Sequence, residues 1–77
     1  MNEQDFSFRL KNSGRTRLKV WLEPWGEVHV LKPGETVQVD ARGPIGAFPN
    51  DALEVRANEE SITLWGWGGS GVTIKTV

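Results

Sequence analysis

The chain has 77 residues, 38% hydrophobic and 25% charged, a composition that fits one small globular domain and not a disordered tail. Nine basic against ten acidic residues give a formal net charge of −1, without the basic excess of a dedicated nucleic-acid binder. The absence of cysteine and the single histidine exclude a disulfide framework, a zinc knuckle, a thiol nucleophile and a multi-histidine metal site.

Residues 1–5 (Met1-Asn2-Glu3-Gln4-Asp5) carry neither a basic stretch nor an apolar run, so no secretory signal is expected. A cytoplasmic address is the default, and residues 1–5 are the candidates for disorder in a domain spanning 1–77. No apolar run approaches the roughly 18 residues of a membrane-spanning helix. From Phe6 onward the chain alternates with period two. Phe6, Phe8 and Leu10 form the first apolar set, then Leu18, Val20 and Leu22, then Val28 and Val30, then Val37, Val39 and Ala41. Leu53, Val55 and Ala57 follow, then Ile62 and Leu64, then Val72 and Ile74. Alternation of this kind indicates strands with one buried face.

Turn residues separate these runs. Asn12-Ser13-Gly14 tolerates positive φ. Glu23-Pro24-Trp25-Gly26 suits a type I turn, and Lys32-Pro33-Gly34-Glu35 a type II turn. Type II geometry splays a two-residue hairpin, so the second is read as a corner between sheets. Asn58 to Ser61 and Gly68 to Gly71 are further loops. The longest irregular piece, Arg42 to Asp51, is the candidate crossover or binding loop, with Ile45 and Phe48 placed to plug one end of the core. Six to seven short strands at roughly ten-residue spacing predict an all-β fold without significant helix: a small antiparallel sandwich or flattened barrel.

The passage from Gly26 to Val39, in which a Pro-Gly-Glu-Thr turn is followed by alternating valines, resembles strand–turn–strand passages of cupin-type barrels and of immunoglobulin-like sandwiches. It covers under a fifth of the chain. Of the histidines that make a cupin metal site only His29 has a counterpart here, so the resemblance implies a β fold and no metal-dependent activity.

Several constellations bear on function. If the aliphatic members of each strand face inward, Trp21, Trp65 and Trp67 face outward, while Trp25 sits in a turn. Exposed flat rings stack on sugars, bases or an apolar partner surface. Packing within the sandwich is the competing explanation for the same rings. Arg9, Lys11, Arg15, Arg17 and Lys19 form a basic stretch, and Arg9, Lys11 and Lys19 are expected to share an outward face with Trp21. Such interleaving suits single-stranded nucleic acid, although a solvated face guarded by edge lysines accounts for it equally. His29 and Glu27 are read as neighbouring surface residues, too few for a metal site, which takes three or four ligands. The glycines after Trp65 precede a strand and not a helix, so they are not a phosphate loop. Gly66 marks a bulge or makes room for a bulky ring.

No acid/base pair or nucleophile stands out, and neither an enzyme nor a cofactor is expected. The leading expectation is a non-catalytic interaction module that binds a protein partner, or itself, through outward tryptophans. The rival is a carbohydrate or other small-ligand module using Trp21, Trp25, Trp65 or Trp67. Nucleic-acid binding through residues 9–19 comes third.

Overall fold

The computed structural model describes residues 3–45 and 52–77. Seven strands follow in order: β1 (Glu3–Lys11), β2 (Leu18–Glu23), β3 (Glu27–Leu31), β4 (Thr36–Pro44), β5 (Glu54–Ala57), β6 (Ser61–Trp65) and β7 (Gly71–Thr76). They form a three-stranded sheet, β1-β4-β7, and a four-stranded sheet, β3-β2-β6-β5. The described residues contain no helix. The expected all-β sandwich is therefore the fold. One pair departs from the antiparallel expectation: β2 and β6 run parallel, with Val20 opposite Ile62 and Leu22 opposite Leu64. Parallel neighbours need a long connection, and here β3, β4 and β5 supply it.

Alternation builds the core. Val20, Leu22, Leu31 and Leu64 of the larger sheet meet Val37, Val39, Ala41 and Val72 of the smaller one. Burying each of the larger aliphatic side chains contributes about 1.5–3 kcal/mol. Phe8, Leu10, Leu18, Leu53, Ile62 and Ile74 pack around this centre.

The corner between β3 and β4 is as expected. Glu35 N–H donates to Lys32 O at 3.0 Å, and Gly34 has φ +81° at the position where a type II turn requires it. The turn carries the chain from one sheet to the other. The β2–β3 turn is wider than the type I form read from its sequence, because Gly26 N–H reaches Leu22 O at 3.0 Å, across five residues.

Asn12 is buried and acts as a junction. Its carboxamide nitrogen donates to Thr16 O at 2.8 Å and to Leu31 O at 3.0 Å, while its side-chain oxygen accepts from Gly14 N–H at 3.0 Å. Its backbone bonds to Glu35 O and Gly34 N–H. One side chain thus fastens the β1–β2 loop to the end of β3 and to the following corner.

Four expectations are corrected. In β3 the buried residue is Leu31, while Val28 and Val30 are 45% and 50% exposed. His29 lies opposite Val20, and Glu27 opposite Leu22, so Glu27 and His29 share the inner face. They sit at the end of that face where burial fades, and His29 remains partly accessible. Val55 aligns with buried Leu64 but is exposed, because it lies on the edge strand β5. β1 begins at Glu3, so residues 3–5 pair with β4, and Arg42 holds Glu3 at 3.2 Å. Finally, β4 extends to Pro44, and Ile45 is exposed and plugs nothing. Phe48 lies outside the described residues.

Candidate functional site

The tryptophans divide into two groups. Trp67 is 7% exposed and belongs to the core. Its indole Nε1 donates to Pro44 O at 2.7 Å. Its ring stacks on Phe6, with centroids 6.2 Å apart. The outward placement read from its spacing to Trp65 is therefore wrong. Period two holds only within a strand, and β6 ends at Trp65. Beyond it the chain crosses to the other sheet through the turn Trp67 to Ser70, and the crossing aims Trp67 inward.

Trp21 and Trp65 do lie on the outer face of the four-stranded sheet. Trp21 stands opposite Val28 on β3 and Thr63 on β6. Lys19 stands opposite Val30, and Trp65 stands opposite Glu54 and Glu23. The row Val28, Trp21, Thr63, Arg56 crosses the sheet, and Trp65 lies in the next row. The Arg56 guanidinium sits 5.3 Å from the centroid of the Trp65 ring and forms an ion pair with Glu54. A cation over an indole face is worth about 0.5–1 kcal/mol at an exposed site. Trp65 is therefore held in place by its own sheet, and both rings are half-buried.

Trp25, in the β2–β3 turn, is 43% exposed and leans over Gly66. A Cβ at Gly66 would come within 2.5 Å of the Trp25 ring. Gly66 thus makes room for a ring, one of the two roles its position suggests. Trp25 leans over the end of the sheet where β6 stops.

An open groove of about 770 Å³ lies beside Trp21, lined also by Arg17, Lys19, Val30, Asn58 and Glu60. It joins the start of β2 to the β5–β6 turn. The basic stretch does not act together there. Arg9 and Lys11 belong to β1 and to the outer face of the other sheet, while Lys19 lies beside Trp21. The β1–β2 loop crosses between the sheets, so Arg9 and Lys11 cannot share a face with Trp21, as consecutive hairpin strands would have allowed.

The outer face of the three-stranded sheet is polar, and its centre is a cluster the sequence reading passed over. Asp40 accepts hydrogen bonds from Ser7 Oγ at 2.5 Å and Gln38 Nε2 at 2.8 Å, and Lys75 Nζ lies 3.0 Å away. These bonds, Ser7 first, lower its pKa from 3.8 to about 2. The register of β1 and β7 on β4, with Ser7 and Thr73 both opposite Asp40, was the missing signal.

His29 Nε2 lies 3.7 Å from a Glu27 carboxylate oxygen. Among the described residues no group of three or more His, Cys, Asp or Glu side chains is placed to hold a metal ion. No helix among them is long and apolar enough to cross a membrane. Comparison with protein-family models, with curated proteins and with solved structures finds no match to this chain.

Proposed function

We propose that this chain is a non-catalytic interaction module that binds a protein partner or a second copy through the outer face of the four-stranded sheet. One observation carries the reading: Val28 and Val30 stand exposed beside Trp21, on the same face as Trp65. Apolar side chains grouped on an outer face commonly mark a contact surface. The surrounding Lys19, Arg56 and Glu54 supply a charged rim of both signs, the usual composition around an apolar contact. A cytoplasmic setting is part of the proposal, since a chain without cysteine needs no oxidising compartment to fold.

The test is the double variant Trp21→Ser/Trp65→Ser. Its association should weaken while its unfolding midpoint stays near that of the wild type. Association at wild-type strength, or loss of the fold, would sink the reading.

The groove beside Trp21 favours one other reading. Arg17, Lys19, Glu60 and the Trp21 indole around an open hollow suit a carbohydrate or other small polar ligand. Titration with a glycan panel separates the two readings. Saturable quenching of tryptophan fluorescence that disappears in Trp21→Ser supports the ligand reading, and its absence supports the interaction module.

A further inference from the structure

β3 is one of the two edges of the four-stranded sheet. The hydrogen bonds of β2 fix which groups of β3 are free. Lys19 N–H donates to Glu60 O, and Glu23 O accepts from Gly66 N–H, so the odd residues of β2 aim their backbone toward β6. The even residues Leu18, Val20 and Leu22 therefore aim at β3, where they lie opposite Leu31, His29 and Glu27. Residues opposite one another in such a pair exchange both of their bonds. Val28 and Val30 are left with their N–H and C=O groups pointing out of the sheet.

The other edges are guarded. On its outer face β1 carries Glu3, Asp5, Arg9 and Lys11, β5 carries Glu54 and Arg56, and β7 carries Lys75. Charges at these positions discourage a further strand from adding. β3 presents Val28 and Val30 instead, both about half exposed. Its two ends carry opposite charge, with Glu27 at one and Lys32 just beyond the other.

We propose that β3 pairs antiparallel with β3 of a second copy of this chain, about a two-fold axis through His29. The inference rests on the reading of this face as a contact surface. In this register Val28 lies opposite Val30 of the second copy, and the outward groups of both match, giving four backbone hydrogen bonds. Glu27 then lies opposite Leu31 of the second copy and beside its Lys32, so unlike charges meet at both ends. The two sheets join into one of eight strands. On its outer face the row of Trp21 and Val28 runs on into Val30 and Lys19 of the second copy. On its inner side the two His29 rings face one another across the axis.

Sedimentation velocity over a concentration series tests this with three variants. Val30→Pro removes an outward N–H that the single chain does not use, and edge positions of this kind tolerate proline. His29→Lys places two ammonium groups at the axis. Trp65→Ser alters the face two strands away from the edge. The wild type should reach twice the monomer mass as concentration rises, and Trp65→Ser should follow it. Val30→Pro and His29→Lys should need concentrations higher by about tenfold or more, a loss of about 1.4 kcal/mol in association. If Val30→Pro does not fold, His29→Lys decides. A wild type that stays monomeric overturns the pairing and leaves the face to a different protein. Association lost in Trp65→Ser but kept in Val30→Pro and His29→Lys also overturns it, and places the contact on the tryptophan face itself.

Discussion

The Trp67 indole lies nearly parallel to the Phe6 ring, with 6.2 Å between centroids and 11° between planes. Phe6 also stacks on Phe8, so the three rings form a continuous stack at one end of the core. Phe6 belongs to β1 and Trp67 to the crossover after β6, so the stack ties the start of the chain to the passage between the sheets. Trp67→Ala removes both the ring and its bond to Pro44 O. Buried tryptophan truncations cost about 3–5 kcal/mol, a large part of the stability of a domain this small. Urea denaturation followed by circular dichroism should show that loss, and Trp65→Ala should lose far less.

Asn12→Ala should cost about 1–3 kcal/mol, because Thr16 O, Leu31 O and Gly14 N–H lose their partner together. Asn12→Asp should cost more, since an acceptor would then face two carbonyl oxygens. Unfolding midpoints of the two variants check the order. Equal stability of Asn12→Ala and wild type would show that water replaces the carboxamide without loss.

Gly43 has no room for a side chain. A Cβ there would lie 2.7 Å from the Cα of Ser70 and 3.1 Å from the Trp67 ring, and a backbone atom does not step aside. Gly43→Ala should destabilise by about 1–3 kcal/mol, the usual cost of overpacking. Gly68→Ala, where nothing lies within 4 Å, should change stability little. Thermal unfolding of the pair, side by side, measures the contrast.

Asp40 makes stability depend on acid. Its pKa is lowered to about 2 in the folded chain, so its contribution is present in full above the ordinary value of 3.8 and fades as pH falls through about 2. Asp40→Asn should therefore be less stable than wild type at pH 7, and the gap should narrow between pH 4 and pH 2. Urea midpoints across that range read the gap directly. A gap independent of pH would assign the effect to packing and not to charge.

Much of this fold is written in local pattern. The alternation of Val37, Val39 and Ala41 against Gln38 and Asp40 places β4 and its buried face without ambiguity, and Pro33-Gly34 marks the corner between sheets. Pattern misleads where a strand stops or lies at an edge. Trp67 follows Trp65 by two residues, yet the strand ends between them. Val28 and Val30 are as apolar as any core valine, yet the face is set by Leu31, which lies opposite Leu18. The division of the basic residues between two faces depends on which sheet each strand joins, a long-range property that no local window holds. The same is true of Asp40, whose partners Ser7 and Lys75 come from opposite ends of the chain.

The most direct measurement of the proposed contact is the nitrogen–proton spectrum of the indole groups over a concentration series. The four tryptophans give four signals, assignable by single Trp→Phe substitutions. If β3 pairs with β3 of a second copy as proposed, the signal of Trp21, one strand from the junction, moves most with concentration, and that of Trp65, two strands away, moves less. Trp67, bonded to Pro44 O inside the core, stays fixed. Indole signals that all hold still over the whole series, or a Trp67 signal that moves while Trp21 does not, would contradict it.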